Sequence, residues 1–262
     1  MSAAPLTLAT WNVNSLRVRM THLADWLAAT RLDVLGLQET KLADADFPAA
    51  ELARLGLEGA WHGQRTYNGV TLLAREPLAD VARGMPGYGD EQARVIAATV
   101  RGVRIVDVYV PNGQAVGSDK YAYKLEWLVR LGDYLKAELG RHPLLAVVGD
   151  YNIAPEDRDV HDPVAWEGQV HVSPAERAAL AQLLGLGLVD VFRRFAQPDK
   201  TFSWWDYRAA AFRRNAGLRI DLVLASAALA ARCTACRVDV APRRWERPSD
   251  HAPVLATFDL SA

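Results

Sequence analysis

The chain has 262 residues, half of them apolar, with 30 Lys and Arg against 31 Asp and Glu for a formal charge of −1. That balance excludes a disordered, collagen-like or coiled-coil polypeptide, and the length suffices to bury a core without disulfide or metal staples. Near-zero net charge argues against indiscriminate coating of nucleic acid and leaves room for a locally basic cleft. In chain order, Leu6–Trp11 alternates as a strand and ends in Asn12-Val13-Asn14, and Thr21–Ala29 has helix composition. Asp33–Leu37 is a near-continuous apolar strand ending in Gln38-Glu39, and Gly69–Leu73, Val95–Val100 and Val103–Val110 are further strands. Tyr121, Leu125, Leu128, Leu131, Leu135 and Leu139 form a stripe at helical spacing, stopped by Gly140 and Pro143. Leu144–Val148 is another buried strand, ending in Gly149-Asp150-Tyr151-Asn152. Ser173 with Glu176 is a capping box for the helix that follows. Leu218–Leu224, Val238–Val240 and Val254–Leu260 supply late strands. Strands apolar on both faces must be covered on both faces, which predicts two sheets sandwiched between helices. No linker divides the chain, so a single domain over residues 1–262 is expected. No apolar run approaches the roughly 20 residues that cross a bilayer, and the start lacks a basic-then-apolar leader pattern, so a cytoplasmic location is expected.

Several strands finish or begin with polar side chains: Asn12 and Asn14, Glu39, Asp150 and Asn152, and Asp221, while Asp250-His251 opens a further element. Glu39, Asp150, Asn152 and Asp250 are hard oxygen donors without accompanying thiols, a set that suits Mg²⁺ or Mn²⁺ rather than zinc. Asp150 and Asn152 share one face of an extended segment, which fits a base and an amide that orients a nucleophile. Asp221 and His251 suit a carboxylate–imidazole pair aimed at phosphoryl oxygen. Singly, each also has a plain structural reading, because a strand-terminal Asp is often only a turn residue. Cys233 and Cys236 supply half a tetrahedral zinc site at most and are read as incidental thiols.

The ordered blocks Thr10-Trp11-Asn12-Val13-Asn14-Ser15-Leu16-Arg17, Leu37-Gln38-Glu39-Thr40-Lys41, Val108-Tyr109-Val110-Pro111-Asn112-Gly113, Gly149-Asp150-Tyr151-Asn152-Ile153-Ala154-Pro155, Leu218-Arg219-Ile220-Asp221 and Pro248-Ser249-Asp250-His251 are similar to those of the exonuclease III family of abasic-site endonucleases, within the endonuclease/exonuclease/phosphatase superfamily. The Phe202–Arg208 block resembles its bacterial branch. The resemblance runs from residue 6 to about residue 260. It implies an α/β fold of the deoxyribonuclease-I kind, a four-layered α/β sandwich of two mixed sheets packed face to face between helices. It also implies a Mg²⁺-dependent enzyme, with Mn²⁺ substituting, that acts as a monomer without a membrane. The substrate would be double-stranded DNA with abasic sites or with recessed or blocked 3′ ends, cut 5′ to the abasic site or trimmed from the 3′ end in base excision repair. Carried over, Glu39 is the principal metal ligand, with Asn12, Asn14, Asp150, Asn152 and Asp250 around the ion. Asp150 aligns or deprotonates the water and Asn152 orients it. Tyr109 meets the scissile phosphate or leaving oxygen, Asn112 donates to a phosphate oxygen, and Asp221 holds His251.

Trp204-Trp205-Asp206-Tyr207-Arg208, followed by Arg213, Arg214 and Arg219, interleaves aromatic and basic residues as nucleic-acid contacts require, although a buried aromatic core beside a solvated basic face would read the same way. With the resemblance, Trp204, Leu218 and Ile220 become walls of a pocket for a flipped abasic sugar, Trp205 a neighbouring contact, and Gln114 either a groove contact or a polar loop residue. His161 and His171 lie in a loop suited to shifting the balance between substrates. Two other readings compete. A phosphodiesterase for lipid or inositol phosphates would lack the Phe202–Arg208 block, and a nucleic-acid-binding regulator would have lost catalytic residues that are all present here.

Overall fold

Each of two six-stranded sheets is organised around one parallel pair. The structure, a computed structural model, describes residues 4–261. Its strands are β1 (Leu6–Asn12), β2 (Val34–Gln38), β3 (Glu58–His62), β4 (Val70–Ala74), β5 (Ala79–Arg83), β6 (Val95–Val100), β7 (Val103–Tyr109), β8 (Leu145–Asp150), β9 (Leu188–Asp190), β10 (Asp221–Ser226), β11 (Cys233–Val238) and β12 (Val254–Phe258). Its helices are α1 (Leu16–Ala29), α2 (Ala49–Arg54), α3 (Asp119–Arg141), α4 (Pro163–Trp166), α5 (Pro174–Gly185) and α6 (Ala227–Ala230). The first sheet has the order β11-β12-β1-β2-β4-β3 and the second β5-β6-β7-β8-β10-β9. Only β1 with β2 and β7 with β8 run parallel; the other pairs are antiparallel.

The sheets pack face to face over Leu8, Val34, Leu72, Ile96, Ile105, Val148 and Val223. The outer face of the second sheet packs on Leu128, Leu131 and Leu135 of α3 and on Leu180 and Leu183 of α5. Leu16, Leu23 and Trp26 of α1 cover the outer face of the first. The four layers expected from doubly apolar strands are all present, since each sheet has a second apolar face to bury.

Capping follows the sequence. The Ser173 hydroxyl accepts from the Glu176 N–H while the Glu176 carboxylate takes the Ser173 N–H. Helix α3 starts at Ser118, whose side chain accepts from the Tyr121 N–H. Gly149 is a position that needs glycine: its φ is +148°, and a Cβ there would run into the Val108 carbonyl of the neighbouring strand. That close approach directly precedes Asp150. Cys233 and Cys236 are both free and buried, an arrangement an even strand pleat would forbid at this spacing; the register shift between Cys233 and Ala235 restores it.

Candidate active site

A parallel pair sends both of its strand ends to the same edge, and in this fold the two parallel pairs send theirs to the same cleft. β1 ends at Asn12 opposite Gln38, which leads into Glu39. β7 and β8 end together, with Tyr109 paired to Asp150. β10 runs antiparallel to β8 and begins at Asp221, opposite Asp150. β12 is antiparallel to β1, with Val254 opposite Thr10, so the segment just before it brings Asp250 and His251 to the end of β1.

The side chains meet in a continuous circuit. The Asn12 amide donates at 2.9 Å to both Glu39 Oε1 and Asp150 Oδ2. The Tyr109 hydroxyl donates to the same Glu39 oxygen at 2.9 Å. Asp150 Oδ1 accepts the Asn152 N–H at 2.9 Å, and the Asn152 amide donates to the Val110 carbonyl at 3.0 Å. Asn112 donates to Asn152 Oδ1 at 3.3 Å. Across the cleft, His251 Nδ1 lies 2.9 Å from Asp221 Oδ2, and its Nε2 faces Asp150 Oδ2 at 3.7 Å. Asp250 accepts from Asn14 at 2.9 Å and from the Trp204 indole at 3.0 Å. Glu39 and Asn152 hold this circuit with φ of +53° and +50°, a left-handed backbone that costs a non-glycine residue about 1 kcal/mol or more and recurs at functional sites.

Burial and neighbouring charge set the protonation states. Burial, reinforced by the Asp221 charge, lifts Asp150 to about 7 against the pull of His251 and two hydrogen bonds. Burial disfavours a charged His251, but Asp221 and Asp150 overcome it and raise the imidazole to about 10. Burial and the Glu39 and Asp150 charges push Tyr109 well above its ordinary value, so it is a phenol donor at neutral pH. Glu39 is desolvated, yet the Lys41 ammonium at 2.9 Å holds it below the usual carboxylate range.

Asp150, Asp221 and His251 bring ligand-type atoms within 4.8 Å of one another. His251 Nδ1 is bound to Asp221 and its Nε2 faces Asp150, however, so the trio stands as an ion-pair relay. The oxygen set of Glu39 with Asp150 and Asp250 fits a hard divalent cation better. Two anionic oxygens there converge on one amide group, and the Lys41 ammonium already sits on Glu39. Asn12 differs from its expected part as a ligand. It turns its nitrogen to the carboxylates, while its oxygen accepts the Asn14 N–H at 2.9 Å, so it spaces the two anions.

The rim departs further from expectation. Trp204 is half-buried and tied to Asp250, but Trp205 is 2% exposed, edge-on to Phe212 and bonded to Asn215, so it packs behind the cleft. Leu218 and Ile220 are 0% and 2% exposed, covered with Val160, Val172, Trp166 and Trp204. The buried His171 ring lies 6.4 Å from the rings of both Trp166 and Trp204. The walls expected of a sugar pocket are therefore already in contact with protein. Gln114 is exposed just past the turn, its N–H on the Asn112 side chain.

Four residues without an assigned part in the sequence reading hold the site. Lys41 neutralises Glu39. Ser203 donates to Asp221 at 2.6 Å, and Ser249 donates to the Asn12 carbonyl at 2.6 Å. The Arg94 guanidinium lies 4.7 Å from the centre of the Tyr109 ring. Lys41, Ser203 and Ser249 sit inside the recognisable blocks, so adjacency was a usable signal; Arg94 acts through a long-range contact that carries no local pattern.

Comparison with known proteins gives a consistent result. Residues 9–251 match the endonuclease/exonuclease/phosphatase family. Exodeoxyribonuclease III of Haemophilus influenzae is 35% identical, over 95% of this chain and 98% of that protein. A 3′ phosphatase from Neisseria, solved bound to a product DNA hairpin, superposes with a TM-score of 0.95 at 46% identity, over 97% of this chain and 99% of that one. An AP endonuclease from Archaeoglobus fulgidus gives 0.93 at 38%, over 97% and 100%.

Proposed function

Because this chain belongs to the endonuclease/exonuclease/phosphatase family, we propose that it is a DNA repair nuclease that hydrolyses phosphodiesters in duplex DNA, 5′ to abasic sites and at 3′ ends, and also clears blocked 3′ ends. The observation that carries this reading is the circuit Tyr109–Glu39–Asn12–Asp150, closed against the Asp221–His251 pair at the seam of the two sheets. It sets a base near neutrality and a charged donor 3.7 Å apart at the same edge of the two sheets, which supports a shared role at one phosphoryl group.

In-line displacement at phosphorus spreads negative charge over the nonbridging oxygens, and groups aimed there lower the barrier. His251 Nε2–H donates to one such oxygen, and its Nδ1 is held by Asp221. Ionised Asp150 takes a proton from the attacking water, which Asn152 orients. Tyr109 donates its phenolic proton toward the scissile phosphate or the departing oxygen, and Asn112 steadies a phosphate oxygen. Mg²⁺ or Mn²⁺, held by Glu39 with Asp150 and Asp250 beside it, would neutralise the phosphate against these carboxylates. Gln114 and Trp204 contact the DNA from the rim.

The packed state of Leu218 and Ile220 favours 3′-end processing over abasic incision, because a sugar reaches them only if Trp204 or Trp166 moves. A relative at 46% identity is named a 3′ phosphatase and one at 38% an AP endonuclease. No helix among the described residues is long and apolar enough to cross a membrane. The enzyme proposed is a cytoplasmic monomer with one catalytic domain.

The test is a duplex carrying one abasic analogue, beside duplexes with a recessed 3′ end and a 3′-phosphate, each incubated with Mg²⁺, Mn²⁺ or EDTA. Cleavage with either cation, none in EDTA, and faster 3′ processing are expected. Full activity in EDTA overturns the metal dependence, no cleavage of any duplex overturns the nuclease reading, and faster abasic incision overturns the order of activities.

A further inference from the structure

Lys124 is a lysine with no exposed surface, on helix α3, which is otherwise a scaffold element. A buried ammonium persists only if all its donors are used. Here they are: Nζ donates to the Asn112 carbonyl at 3.1 Å, the Asn152 carbonyl at 2.7 Å and Glu176 Oε1 at 2.5 Å. The two carbonyls belong to the two asparagines that meet at 3.3 Å over the cleft. Glu176 is also fully buried, and it accepts the His171 and Ser173 N–H groups at 3.0 and 3.1 Å. His171 Nδ1 in turn lies 2.6 Å from the same Asn152 carbonyl. One ion pair therefore touches the turn at residues 112–114 and both ends of the loop that leaves Asn152 and returns at Ser173.

We infer that Lys124, with Glu176 as its counterion, is a positioning residue that fixes Asn112 and Asn152 relative to each other and fastens the loop of residues 153–173 against the catalytic circuit. Neither side chain reaches the cleft, so their effect passes through the two carbonyls and the loop ends. Displacing Asn152 misplaces the water and the Asp150 carboxylate it adjoins, and a shift of about 1 Å in such a group costs up to about 100-fold in rate. Releasing the loop also frees His171 from its seat against Trp204, so the balance between abasic incision and 3′ processing moves with it. The kinetic consequences rest on the nuclease reading; the anchoring itself does not.

The variants are the double variant Lys124→Met/Glu176→Gln, which removes both buried charges together with the contacts to the two carbonyls, and Arg130→Gln on the exposed side of the same helix as the control. The double variant is expected to lose about tenfold or more in kcat with little change in KM and an altered ratio of the two activities, and the control to keep kcat within about twofold. Unaltered kcat and ratio in the double variant overturn the inference. A second arm needs neither variants nor substrate. Native-state hydrogen exchange of the unaltered protein should show residues 112–118 and 153–173 opening as one unit with a common denaturant dependence. Independent opening of the two segments overturns the inference even if the double variant fails to fold. Joint opening without DNA cleavage by the unaltered protein leaves the anchor standing and removes the nuclease reading instead.

Discussion

The catalytic floor and the rim above it are built differently. Asn12, Tyr109, Asp150 and Asp221 stand on strand ends whose ladders fix the backbone, and each is held by at least one further side chain. Trp204, His171 and Gln114 stand on irregular segments, held by packing and by hydrogen bonds to neighbouring loops, and the arginines at 213 and 214 are exposed. Strand-end geometry suits groups that must sit within a fraction of an ångström, and loops suit groups that choose among substrates. The same difference predicts that damage to the floor abolishes chemistry, whereas damage to the rim redistributes it.

The largest effect should come from Asp150→Asn. Single-turnover cleavage should fall by about two to four orders of magnitude while DNA is still bound, because a general base is lost and an isosteric amide remains. Rapid quench beside a gel-shift titration separates the two quantities, and an unchanged rate would deny the floor its role.

His251→Asn follows, with a loss of about 100- to 1,000-fold through removal of a donor to the phosphoryl charge. The intact enzyme should also show a bell-shaped rate profile. Activity needs Asp150 ionised and His251 protonated, so it rises as pH climbs through about 7 and falls as pH passes about 10. The variant should lose the alkaline limb, and a retained limb would assign it to another group.

At the rim the effects should shrink and become selective. His171→Ala removes the ring set against Trp166 and Trp204 and should shift the ratio of abasic incision to 3′ digestion by about tenfold, the scale of a filled or vacated apolar pocket. Trp204→Ala uncovers Leu218 and Ile220 but removes the stacking face, and should lower abasic incision more than 3′ digestion by about 1–3 kcal/mol. Thermal melting alongside both assays shows whether packing has failed, and an unchanged ratio at an unchanged melting point would detach the rim from selectivity.

Arg213→Ala or Arg214→Ala should have the smallest consequence. Both activities should weaken by a similar few-fold factor, and the slope of log affinity against log salt should flatten by about 1. A selective loss would make either arginine a recognition residue instead.

The floor was legible in the sequence because its groups sit where apolar strands stop, and that boundary is itself a pattern. The central strands were legible too, since burial on both faces leaves an unbroken apolar run, as in Val34–Gln38 and Leu145–Asp150. β5 was not: Ala79–Arg83 is a mostly exposed edge strand with neither an apolar run nor a clean alternation. β3 begins with exposed Glu58 and Gly59 and is equally silent. The rim was legible as an aromatic and basic segment, but that Trp205 faces the core depends on Phe212 and Asn215, and that Leu218 is covered depends on Val160, Val172 and Trp204. Such facts arise from segments meeting in space. Nor does any spacing rule announce that a lysine beside the helical stripe will turn inward and find two carbonyls.

The seam between the sheets has a consequence for how activity arises during folding. Asn12 and Asp150 are 138 residues apart in sequence, and Trp11 reaches the His251 carbonyl across 240. Contacts this remote are entropically costly and form late, so no fragment and no half-folded chain carries a working site. The circuit is therefore completed in one step, when the last segment docks beside the first. A nascent or partly unfolded copy lacks the assembled site. Recovery of activity during refolding should accordingly lag behind the return of secondary structure.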